Sequence, residues 1–168
     1  MKELLAKLGL RDDLTEAELL ERLKERPEEV REYLNEAKDT KLIRQLAELG
    51  LTEVQFRLGL MYKDGWGVKQ IDRLSFRSEE GWGVKQSDRQ AAKWFRKAAG
   101  QGHVNAQHNL GVMYEQGLGV EQDYCQAAEW FRKAAGQGDA GAQHNLGLMY
   151  EQGLSVERDD RQAAEWYR

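Results

Sequence analysis

Residues 87–122 and 123–158 are two copies of one 36-residue pattern, identical at 26 of the 36 positions. Gln90-Ala91-Ala92-Lys93-Trp94-Phe95-Arg96-Lys97-Ala98-Ala99-Gly100-Gln101-Gly102 returns as Gln126-Ala127-Ala128-Glu129-Trp130-Phe131-Arg132-Lys133-Ala134-Ala135-Gly136-Gln137-Gly138. Ala106-Gln107-His108-Asn109-Leu110-Gly111 returns as Ala142-Gln143-His144-Asn145-Leu146-Gly147. Chance does not produce such self-similarity, and a unit this small cannot bury its own aromatic side chains. The fold is thereby confined to a row of like units that share one interior.

Each unit reads as two helices joined by glycine turns, because the chain has one proline and its glycines recur at regular places. In the first helix, about Asn105 to Gln116, Ala106, Leu110, Met113 and Tyr114 fall at three- and four-residue spacing on one face. Gly111 lies on that face, where a missing β-carbon lets a neighbouring helix come close. Gly117 and Gly119 end the helix and make the turn. The second helix begins at Ser87, Asp123 or Asp159, each followed three residues later by Gln90, Gln126 or Gln162, the spacing of a reciprocal capping box. Ala91, Ala92, Phe95 and Ala99 then share a face, with Trp94 beside them.

These residues resemble the Sel1-like repeat, a relative of the tetratricopeptide repeat. The matching positions are Ala106, Leu110, Gly111, Tyr114, Gly117, Gly119, Val120, Ala127, Trp130, Phe131, Ala134, Ala135 and Gly138. The likeness covers roughly Leu51 to Arg168. It implies an all-α, right-handed α-solenoid of stacked antiparallel helix pairs whose first helices line a concave surface, and a role as an adaptor that binds a partner chain.

Two departures interrupt the pattern. Val54-Gln55-Phe56-Arg57-Leu58-Gly59-Leu60-Met61-Tyr62 is another first helix, yet Gly59 stands 52 residues before Gly111. The hexapeptide Gly65-Trp66-Gly67-Val68-Lys69-Gln70 is copied as Gly81-Trp82-Gly83-Val84-Lys85-Gln86. The segment at about 65–86 reads either as a degenerate repeat, with Leu74 to Glu80 the remnant of a first helix, or as a looped-out 16-residue duplication. At the other end, the last repeat reads as truncated within its second helix, leaving Trp166 and Tyr167 partly exposed.

Residues 1–50 have a different texture and read as a helical cap on the repeats of 51–168. Thr15 caps a helix, Glu18 answers it, and Leu14 and Leu19 form a staple. Pro27 suits the first turn of the next helix, with Val30, Tyr33, Leu34 and Ala37 inward. Asp39 and Thr40 restart a helix through Leu42, Ile43 and Leu46 that closes at Gly50. Leu51-Thr52-Glu53-Val54-Gln55-Phe56 reads as a second staple and box. Caps and charges this consistent match an idealised sequence, so a designed or engineered repeat scaffold without a natural ligand is the alternative to an adaptor.

A net charge of −4 gives no basic surplus for nucleic acid or an anionic membrane. The start, Met1-Lys2-Glu3-Leu4-Leu5-Ala6-Lys7, lacks the apolar run of a signal peptide, and one cysteine, Cys125, fits a reducing compartment. A cytoplasmic protein is the expectation, with oligomeric state open. No nucleophile elbow, phosphate-cradling loop or metalloprotease motif occurs. His108 and His144 are equivalent and should form a polar ladder about 10 Å apart, the distance between packed helices, without the further ligands zinc needs. No catalytic residue, metal or cofactor is expected.

The convention that first helices bind ligand gives the candidate site. Its concave stripe is Phe56, Leu60 and Lys63 in the first repeat. It continues as Asn105, His108, Val112, Glu115 and Gln116 in the next, and as His144, Leu148, Glu151 and Gln152 in the last. Amide groups there can bond a peptide backbone while Val112 and Leu148 bury an anchor.

Overall fold

Why the sequence makes helices is visible at their ends. A computed structural model describes residues 2–11, 13–36, 40–65, 84–154 and 157–167, and among them every regular element is an α-helix. The helices fall into two compact units, Met1–Gln86 and Ser87–Arg168. Residues 66–83, which hold Leu74 to Glu80 and most of the hexapeptide pair, lie outside the described residues, as do Ala37, Asp39 and the side chains of Tyr33 and Leu34.

The first unit contains α1 (Lys2–Lys7), α2 (Glu16–Lys24), α3 (Pro27–Glu36), α4 (Thr40–Glu48) and α5 (Thr52–Asp64). Thr15 and Glu18 form the reciprocal box at the start of α2. The Thr15 N–H donates to Glu18 Oε2 at 2.9 Å and the Glu18 N–H to Thr15 Oγ1 at 3.3 Å. Pro27 opens α3, where its missing N–H costs nothing. Leu4, Leu23, Leu46, Ala47 and Leu58 are fully buried and anchor the unit's core. Arg26 Nη1 donates to the Leu8 carbonyl at 2.9 Å and ties the exit of α1 to the turn before α3.

The box expected at Thr52 does not form. The N-cap of α5 is Leu51, without a side-chain bond, and Thr52 is already helical. Gln55 is engaged elsewhere, its buried Nε2 donating to the Ala47 carbonyl at 2.9 Å. The same bond recurs at the repeat junctions, from Gln107 Nε2 to Ala99 O at 3.2 Å and from Gln143 Nε2 to Ala135 O at 3.3 Å. The turn between α4 and α5 is thus built like those between repeats: Leu51 N–H donates to Leu46 O, as His103 N–H does to Ala98 O and Asp139 N–H to Ala134 O.

The second unit runs α6 (Asp88–Gly100), α7 (Val104–Gln116), α8 (Tyr124–Ala135), α9 (Ala140–Gln152) and α10 (Asp160–Trp166), each helix packing on the next. Ser87, Asp123 and Asp159 are the N-caps of α6, α8 and α10, accepting from the N–H of Gln90, Gln126 and Gln162. The return half of the box is replaced at two of these caps. The Asp123 N–H donates to Tyr114 O at 2.9 Å and the Asp159 N–H to Tyr150 O at 3.0 Å. Those carbonyls belong to the last turn of the preceding helix, where they lack intrahelical donors. One bond therefore closes the connector and occupies the donor a glutamine side chain would have reached.

At the far end of α7, Gly117 takes φ 70°, and the Leu118 N–H folds back to Met113 O at 2.9 Å, a Schellman closure that Gly153 and Leu154 repeat on α9. The core between α8 and α9 comprises Ala127, Ala128, Phe131, Ala134, Ala135, Ala142, Leu146 and Met149. Small residues let the helices approach and the few large ones fill the gaps. Burying a side chain such as Leu146 contributes about 1.5–3 kcal/mol.

Candidate protein-interaction surface

The stripe on α7 alternates between residues committed to the fold and residues left open. Asn105 is exposed near the start of the helix, and its carbonyl accepts from Asn109 Nδ2 at 2.7 Å. His108, half-buried, is committed. Its Nδ1 lies 2.6 Å from Asp139 Oδ1, and its ring stands edge-on to Phe131 at 5.9 Å. A carboxylate only accepts, so Nδ1 carries the proton. Asp139 is at once the N-cap of α9, accepting the Ala142 N–H at 2.7 Å with the same oxygen.

Electrostatics follow from that geometry. Burial pushes the Asp139 carboxyl up, but the His108 hydrogen bond, the Ala142 N–H and the His108 charge together hold it below the usual carboxylate range. Burial pushes Glu115 up, opposed by the charge of His108. Glu115 is thus a half-buried carboxyl nearly two turns beyond His108 on the same stripe. Val112 is half-buried and packs on the core of α8 and α9, while Gln116 is exposed.

On α9 the same positions behave differently. His144 is exposed and lies 5.5 Å, ring to ring, from Tyr167. The Tyr167 hydroxyl donates to Glu151 Oε2 at 2.9 Å. Leu148 is half-buried and Gln152 exposed. In the first unit, Phe56, Leu60 and Lys63 on α5 are all half-buried.

Sequence reasoning placed the histidines on one face but missed Asp139, Gln137 and Tyr167 as their surroundings. Gln137 Nε2 donates to Gln107 Oε1 at 2.7 Å, so the turn before α9 also grips α7. The available signal was the glutamine common to all three first helices, Gln55, Gln107 and Gln143, a polar residue repeated beside buried positions. Among the described residues, no group of three or more His, Cys, Asp and Glu side chains could hold a metal ion, and no helix is long and apolar enough to cross a membrane. Cys125 is exposed on the first turn of α8.

A family model of the Sel1 repeat matches residues 52–74, 73–103, 104–139 and 140–168. The chain belongs to the Sel1 repeat family. Two solved structures are similar to these Sel1 repeats. One is a protective antigen present in uropathogenic Escherichia coli strains and displaying an SLR fold, with TM-score 0.63 and 36% identity, covering 76% of this chain and 24% of the antigen. The other is a Sel1 repeat protein from Oxalobacter formigenes, with TM-score 0.63 and 33% identity, covering 76% of this chain and 46% of that one. The chain spans about a quarter and just under half of their lengths. No match was found among curated proteins. Within Ser87–Arg168 the helix pairs stack one on the next as an α-solenoid, and Sel1 repeat proteins are generally protein–protein interaction modules, typically non-catalytic scaffolds.

Proposed function

We propose that this Sel1 protein is a non-catalytic adaptor that binds an extended peptide or partner segment along the concave faces of its first helices. The observation that carries the reading is the recurrence of Val112-x-x-Glu115-Gln116 as Leu148-x-x-Glu151-Gln152. Val112 and Leu148 remain half-exposed, whereas Leu110, Met113, Leu146 and Met149 on the same helices are buried. An apolar floor flanked by amides and carboxylates suits a guest whose side chain is anchored while its backbone is hydrogen-bonded. Asn105 extends the polar rim on α7. Phe56, Leu60 and Lys63 offer an equivalent strip on α5, read for its own unit alone. His108 contributes by holding α9 in place, since its ring nitrogen already bonds Asp139.

The test is capture from a lysate of the source organism by the wild-type chain and by a Leu148→Arg, Gln116→Ala, Gln152→Ala variant of unchanged helicity. Specific capture lost in the variant supports the groove. Equal capture by both removes it, and a wild-type chain that captures nothing favours the ligand-free scaffold.

A further inference from the structure

Glu115 on α7 and Glu151 on α9 hold equivalent places in the two repeats, yet their carboxylates are met differently. Over Gly147 stands the ring of Tyr167, and its hydroxyl donates to Glu151 Oε2 at 2.9 Å. Over Gly111 stands Phe131, which fills the same place one period earlier and has no hydroxyl. Glu115 therefore lacks the donor its counterpart has, although it is half-buried where Glu151 is exposed. Among the described residues no side chain donates a hydrogen bond to the Glu115 carboxylate. Gln122 Nε2 reaches the Glu115 carbonyl at 2.7 Å and holds the backbone only. Burial raises the pKa of this carboxyl, and the opposing charge of His108 lies nearly two turns away with its Nδ1 proton committed to Asp139. An acceptor in that position gains most from a charged donor brought from outside.

We propose that the guest in the groove presents a lysine or arginine to Glu115, beside an apolar side chain that rests on Val112. The inference rests on the adaptor reading and names the chemistry of its guest. Val112 and Glu115 are three residues apart on α7, which sets their β-carbons about 5–6 Å apart on one face. In an extended segment, residues two apart point the same way at about 7 Å, and the long stem of a basic side chain takes up the difference. The groove thus selects an apolar and a basic residue with one residue between them. An acidic side chain in the same place would face a carboxylate already drawn from solvent and is rejected.

The probe is a phage-displayed library of random peptides selected on the immobilised 168-residue chain, followed by fluorescence titration of an enriched peptide. Enriched peptides should share a Lys or Arg two residues from an apolar residue. Glu115→Gln in the chain, and glutamine for the basic residue in the peptide, should each weaken binding about tenfold, the scale of a hydrogen bond between charged groups, and should not add when combined. Phe131→Tyr offers Glu115 the hydroxyl that Tyr167 offers Glu151, and should lower affinity by competing for the carboxylate. Enriched peptides that carry no basic residue and bind Glu115→Gln as tightly as wild type overturn the proposal; if the Leu148→Arg, Gln116→Ala, Gln152→Ala variant still rejects them, the adaptor reading stands without it. A library that yields no peptide rejected by that variant overturns both. Self-association of the chain that Glu115→Gln dissolves would assign the groove to a second copy and overturn the separate guest.

Discussion

Gly111 faces Phe131 so closely that a β-carbon on the glycine would stand 2.7 Å from two carbons of the ring. Alanine at a helical glycine normally gains about 1 kcal/mol of helix propensity. Here overpacking of about 1–3 kcal/mol opposes it, because the ring is fully buried and has nowhere to retreat. Gly111→Ala is therefore expected to lower stability in urea titration. Gly100→Ala has open space around the new methyl group and should raise stability by about 0.5–1 kcal/mol. A stabilised Gly111→Ala would show that the ring is not the constraint.

Phe131 and Tyr167 occupy equivalent positions with unequal burial. Phe131→Ala should cost about 3–5 kcal/mol, as expected for a large cavity in a packed interior. Tyr167→Ala should cost about 1 kcal/mol or less, since nearly half of its surface is exposed. Thermal melts of the two variants measure the contrast, and similar losses would contradict it.

The Asp139–His108 bond gives stability an acid limb of known sign. A carboxyl whose pKa is depressed on folding contributes stability above its unfolded value, about 3.9 for Asp, and loses it as the pH falls through the folded value. Melting temperature should fall below about pH 4, and Asp139→Asn should flatten that limb while lowering stability at neutral pH. Superimposable acid limbs would rule out the contribution. Glu115 has the opposite sign: burial favours its neutral form, so Glu115→Gln should be slightly stabilising above the ordinary carboxylate range.

Gln107 makes two buried or half-buried bonds, to Ala99 O and from Gln137 Nε2. Gln107→Leu keeps most of the volume and removes both. The Ala99 carbonyl still accepts the Gly102 N–H, so the expected loss is about 1–2 kcal/mol in chemical denaturation. No loss would mean that water replaces the amide.

The helix pairs were legible because each is specified within a few residues: Ser87, Asp123 and Asp159 cap the helices that start beside them, Pro27 opens α3, and Gly117 closes α7. The close approach at Gly111 was legible as well, since a glycine on an apolar face has few other uses. What escaped the sequence was choice between partners. Gln55 has the spacing of a box but spends its amide on a carbonyl eight residues back. Asp123 and Asp159 give their N–H groups to the previous helix instead of to a glutamine. His108 meets Asp139 across 31 residues, and no local periodicity points from one to the other. Within the candidate stripe, nothing in the sequence separated the committed side chain of His108 from its open neighbours.

Because a single Asp139 oxygen starts α9 and also clasps the unit before it, fraying of that helix and detachment from its neighbour are one event. Pulled from its ends, this part of the molecule should yield in whole hairpins, with a force step for each, and seldom come to rest half-open.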